Sequence, residues 1–88
     1  MTNVKNSTSV GESQQSICDW AEKIFGTVAD PRALVTRAMT EMKELDEAVV
    51  DRDLSEIGRE AADVMILLYR LVDQFGLDLD HEVQAKMA

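Results

Sequence analysis

The chain has 88 residues, 17 acidic against nine basic side chains, a formal net charge of −8 and one cysteine, Cys18. That length makes one small domain with a marginal core, to which a metal ion or a partner subunit is expected to add stability. A lone cysteine excludes a disulfide within the chain, and the negative charge argues against a nucleic-acid polymer as partner, since such binding rests on basic surface.

Residues 1–12 are rich in Asn, Ser and Thr and read as a mobile tail without the apolar stretch of a secretory signal; residues 13–88 read as a single helical domain. The spacing of Ile17, Trp20, Ala21, Ile24 and Phe25 predicts a first helix over 13–25, closed by Gly26. Asp30 as cap and Pro31 at the first helical position start a second helix, which carries Leu34, Ala38, Met42, Leu45 and Val49 as a stripe and frays near Arg52. Asp53 and Glu56 suggest a capping box for a third helix that runs to about Phe75, before Gly76. Asp78 then caps a short fourth helix. No stretch alternates as a strand does, so the expected class is all-α: an antiparallel hairpin of the second and third helices with two short flanking helices.

The third helix is apolar over more than one face, through Val64, Met65, Ile66, Leu67, Leu68 and Tyr69. Two short helices cannot cover it, so part of it is expected to face a second copy, giving a four-helix-type bundle by dimerisation. The same run is too short to cross a bilayer, which takes roughly 20 residues, and a cytoplasmic protein with no membrane partner is expected. The lone cysteine fits that reducing compartment.

Two acid pairs break the helical pattern. Glu41 and Glu44 on the second helix, and Glu60 and Asp63 on the third, are each three residues apart, which leaves their side chains about 60° apart on one face. Both pairs border the faces that meet in the hairpin. For Glu41 and Glu44 alone a solvated face is the ordinary reading. Glu60 and Asp63 share their face with Leu67 and Leu71, where a carboxylate is expensive. Four converging acids repel one another unless their pKa values rise or a cation joins them, and oxygen ligands without His or Cys suit Mg²⁺ or Mn²⁺.

The stretch EMKELDEA followed by REAADVMILL resembles the MazG-like all-α nucleoside triphosphate pyrophosphohydrolases, whose mark is ExxE on one helix and ExxD on the next. The resemblance runs from about Trp20 to Lys86. It implies hydrolysis of a (d)NTP to the monophosphate and pyrophosphate, with Glu41, Glu44, Glu60 and Asp63 as catalytic Mg²⁺ ligands, and a homodimer or homotetramer that clears surplus or non-standard nucleotides. Many members carry a further Glu where Thr40 stands, and many continue beyond the last-helix lysine with Asn and basic residues, whereas this sequence ends two residues after Lys86. A neighbouring subunit is then expected to supply those contacts, or phosphate binding is weak. The competing function is a non-catalytic helical dimer that binds nucleotide or regulates a partner; a third is the same fold acting on a non-nucleotide diphosphate.

Lys86 matches the family's last-helix lysine and is the candidate phosphate contact, against a plain helix-end cation. Trp20 is a candidate to stack on the base, against a core or interface role, and Lys23, one turn on, completes the candidate substrate contacts. Arg59 and Arg70 are candidates to pair with acids on their own helix or across a dimer, His81 is expected to be exposed, and Cys18 to act as a small apolar residue.

Overall fold

A computed structural model describes residues 12–88, which form four helices and, among the described residues, no strand. They are α1 (Gln14–Phe25), α2 (Pro31–Val50), α3 (Leu54–Asp73) and α4 (Leu79–Met87). The all-α hairpin with flanking helices is therefore present. The expected tail lies outside the described residues except for Glu12, whose carboxylate accepts from Ser16 Oγ at 2.8 Å. No helix among the described residues is long and apolar enough to cross a membrane.

Each helix starts on a side-chain cap that satisfies one of its orphan amides. Ser13 accepts from the Ser16 amide, Asp30 from Arg32, Asp53 from Glu56 and Asp78 from His81, at 2.8–3.2 Å. The capping box expected at Asp53 and Glu56 does not form. The Asp53 amide already donates to the Ala48 carbonyl at 3.0 Å, closing the α2–α3 turn, and Glu56 pairs forward with Arg59. The reciprocal box is instead at Ser13 and Ser16. The turn itself is short, with Arg52 at φ 55°, a left-handed value rarely adopted by residues other than glycine. α3 ends at Asp73, two residues short of the expected Phe75, in a turn closed by Gly76 at φ 71°.

α3 is the central element and touches all three other helices. On α2 the residues shielded from solvent are Pro31, Leu34, Ala38, Glu41, Leu45 and Ala48, at alternating steps of three and four. That is the seam spacing of two helices packed side by side. Ile57, Glu60, Val64, Leu67 and Leu71 repeat it on α3. The expected α2 stripe is thus corrected at two positions: Met42 and Val49 are exposed, while Glu41 and Ala48 lie in the seam. α1 packs on α3 through Ala21, which is fully buried, but Ile24 and Phe25 from the same predicted stripe are each 60 % exposed, because no other element covers the outer side of α1.

The buried Gln14 side chain joins three elements. Its Nε2 donates to Asp73 Oδ1 at 3.1 Å and to the Leu77 carbonyl at 2.7 Å, and its Oε1 accepts from the Leu79 amide at 2.8 Å. α4 is otherwise solvent-exposed apart from Leu79, and its second tether is the Tyr69 hydroxyl, which donates to Asp80 at 2.9 Å.

Candidate functional site

The seam brings three of the four predicted acids together. Carboxylate oxygens of Glu41, Glu60 and Asp63 all lie within 4.8 Å of one another. Glu41 comes from the middle of α2 and is half-buried; Glu60 is buried and Asp63 exposed, so the group opens from the seam to solvent. Glu44 stands outside this triple. It is exposed and lines a neighbouring acidic cavity that it shares with Glu60, Glu47 and Asp51. Thr40, just before Glu41, turns its hydroxyl back onto the Thr36 carbonyl at 3.3 Å and adds nothing to the group.

Glu60 carries the strain of this arrangement. Only 9 % of its surface is exposed, and its buried Oε1 has no hydrogen-bond partner. Burial first, then a hydrogen bond to Glu41 and the charges of Glu41, Glu44 and Asp63, push its carboxyl up from 4.5 to about 7. An apolar residue would fill a seam position without that penalty. A buried carboxylate with a free oxygen, facing two more carboxylates, has the donor chemistry of a hard divalent cation site. The three residues fit such an ion.

Beside the triple is a cavity of about 200 Å³ lined by Trp20, Phe25, Arg37, Glu41, Asp63, Ile66, Leu67 and Arg70. One wall is aromatic: the Trp20 and Phe25 rings meet edge to face at 5.8 Å. Two cations flank it. Arg37 lies one helical turn before Glu41, on the same face, and among the described residues has no ion-pair partner. Arg70 makes no ion pair on its own helix among the described residues. Its guanidinium donates to the Gly26 carbonyl at 2.8 Å and sits 5.9 Å from the centre of the Phe25 ring. Arg59 does pair, with Glu56.

Of the predicted substrate contacts, only Trp20 lines this cavity; Lys23 and Lys86 are exposed and do not. His81 is exposed. Cys18 is half-buried, and burial raises its thiol pKa, which keeps it a weak nucleophile. Arg37, Phe25 and Arg70 had no site role in the sequence reading. For Arg37 a signal existed, since residues four apart share a helix face.

The sequence profile of the phosphoribosyl-ATP pyrophosphohydrolase family matches residues 20–86, most of the chain, from the second half of α1 into α4. The chain belongs to this family. It is accordingly a member of the MazG-like all-α nucleoside triphosphate pyrophosphohydrolase superfamily, hydrolases that act on acid anhydrides and generally use a divalent metal. No curated protein and no solved structure matches the chain significantly. The family match starts at Trp20 on the cavity wall and includes both acid pairs.

Proposed function

We propose that this family member is an Mg²⁺-dependent pyrophosphohydrolase that cleaves a nucleoside triphosphate into the monophosphate and pyrophosphate. The observation that carries the reading is the convergence of Glu41, Glu60 and Asp63 within 4.8 Å in a helix seam, against an aromatic-walled cavity. In this reading water adds to the α-phosphorus, the bond to the α–β bridging oxygen breaks, and pyrophosphate leaves. Glu41, Glu60 and Asp63 would hold a divalent cation, which would supply charge to offset the phosphates and help to activate the water. Glu44, exposed and outside the triple, is the fourth carboxylate of the set; the proton released by the water passes to solvent where the group opens beside Asp63. Arg37 is the cation available to the departing phosphates from within the cavity.

Trp20 and Phe25 offer the base a stacking surface. The cavity, about 200 Å³, is smaller than the roughly 300–1,000 Å³ of sites that enclose a whole ligand. It suits one heterocycle, with the phosphates lying over the acids. A second copy fits the reading as well: Val35, Ala38, Met39, Met42, Val64, Leu68 and Leu71 line a wholly apolar groove on the other side of the hairpin, where self-association would bury it.

The test is a panel of dNTPs, NTPs and phosphoribosyl-ATP with Mg²⁺, scored for pyrophosphate against orthophosphate. Pyrophosphate from a nucleoside triphosphate is the expected result. Orthophosphate would move the cleaved bond, and nucleotide binding without any product would leave a binding module in place of an enzyme.

A further inference from the structure

Arg70 is the one cavity residue whose polar contact is spent on the protein's own backbone. Its guanidinium holds the Gly26 carbonyl at 2.8 Å, at the point where α1 ends and the chain turns through φ 85°. The same group lies 5.9 Å from the Phe25 ring centre, and Phe25 in turn meets Trp20 at 5.8 Å with the rings perpendicular. One turn later, at the C-cap of α3, Gln74 Nε2 donates to the Val28 carbonyl at 3.0 Å. The end of α1 and the loop after it are therefore pinned to α3 at two carbonyls. Between them, Phe25 is 60 % exposed and Trp20 47 % exposed, so packing alone does not hold either ring in place.

We propose that Arg70 is a positioning residue: by bonding Gly26 and lying over Phe25, it sets the Trp20–Phe25 wall at the angle on which the substrate's base stacks, and so governs base affinity without contacting the phosphates. This rests on the nucleotide reading of the cavity. A side chain that touched phosphate would contribute equally to any polyphosphate. A side chain that only orders the aromatic wall contributes only where there is a base. Inorganic tripolyphosphate has the triphosphate chain without the base, and it separates the two roles.

Trp20 is the single tryptophan and reports on its own wall. The experiment compares wild type, Arg70→Met and Arg70→Lys with Mg²⁺ present. Quenching of Trp20 fluorescence is titrated with dATP, dCTP, dGTP and dTTP; tripolyphosphate affinity is read from its inhibition of pyrophosphate release; kcat and KM are measured for the best nucleotide. Losing one hydrogen bond and one cation–ring contact corresponds to about tenfold in affinity. Arg70→Met is therefore expected to raise the nucleotide Kd and KM about tenfold, to change kcat less than about threefold, and to leave tripolyphosphate inhibition unchanged. Arg70→Lys keeps a donor for Gly26 but not the planar face, and falls between. Equal weakening toward tripolyphosphate would overturn the proposal by making Arg70 a phosphate ligand, and unchanged nucleotide affinity would overturn it outright. If Arg70→Met does not fold, Arg70→Gln, which keeps an N–H donor toward Gly26 but not the cation over Phe25, is judged by the same nucleotide-to-tripolyphosphate ratio. A wild-type protein that neither cleaves nor binds any of the four nucleotides would instead remove the nucleotide reading itself, whereas an active wild type with an indifferent Arg70 removes only the positioning role.

Discussion

The α2–α3 hairpin has two unlike sides. One carries Glu41, Asp63, Arg37 and Arg70 around a cavity partly walled by α1. The other carries Val35, Met39, Met42, Leu68 and Leu71 with no charged residue in the groove. The chain carries a net charge of −8, yet none of its acids lines this groove. Composition therefore does not account for the buried Glu60, and position does: Glu60 sits in the seam between the two sides, where a leucine would hold the hairpin better. One side gives up cohesion to assemble charge, and the other is apolar enough to supply cohesion if something covers it.

The widest separation between the two sides should come from Glu60→Gln and Asp63→Asn. Each is expected to lower pyrophosphate release at least about a hundredfold, the scale of losing one charged group at a reacting centre. Metal-free thermal melts should hold or rise, because a repelling charge is gone, while the shift that Mg²⁺ produces over EDTA disappears. Calorimetric Mg²⁺ binding that survives Asp63→Asn would sink the assignment of the triple.

On the apolar side, Leu68→Asp is the matching change. If a second copy covers the groove, the variant buries an unpaired carboxylate and should lose several kcal/mol, on the order of 3, and sediment as a smaller species at micromolar concentration. A wild type that already sediments as a folded monomer would instead show that the groove is left open to water.

A smaller effect follows from pH. The Glu60 carboxyl is raised from 4.5 to about 7 in the folded chain, so between those values the native state keeps a proton that the unfolded state has released. Metal-free stability should therefore fall as pH rises from about 4.5 to 7 and level off above, while Mg²⁺ affinity rises over the same window as the competing proton leaves. Urea midpoints across this range should show the slope in wild type and lose it in Glu60→Gln. A flat wild-type profile would mean that Glu60 is not held in the protonated form.

Smallest of all, Glu47→Gln and Asp51→Asn remove exposed acids outside the triple. Both should stay within about ±0.5 kcal/mol of wild type and leave activity unchanged. A marked loss in either would enlarge the site toward the acidic cavity behind Glu60.

Much of this frame was legible from local chemistry. Asp30 before Pro31, Asp53 and Asp78 each mark a helix start because a short acidic side chain reaches an orphan amide within its own turn. The acid pairs and the hairpin follow from spacing in the same way. What was not legible depends on partners distant in sequence. Met42 and Val49 look like core because they are apolar, yet the seam runs through Glu41 and Ala48, and only the approach of α3 decides between adjacent helix faces. Glu44 has the same spacing logic as Glu41 but falls outside the triple for that reason. Arg70 offers plenty of acids as partners on paper, and takes a carbonyl 44 residues away. The box at Ser13 and Ser16 was missed because a serine at the fourth place is a weaker sign than the glutamate after Asp53, whose cap amide was already engaged.

Gln14 has a consequence for how the molecule opens. One amide side chain is bonded to the end of α3, to the turn after it and to the first amide of α4. Each of those bonds is part-buried, so releasing Gln14 strands several polar groups at once, not one. Fraying at the start of α1 therefore removes one of the two tethers of α4, and undocking of α4 exposes the Gln14 amide. α1 and α4, which hardly pack against each other, are therefore expected to be coupled in native-state hydrogen exchange. The Leu79 amide, sealed by a residue 65 positions earlier, exchanges with solvent only when α1 has let go.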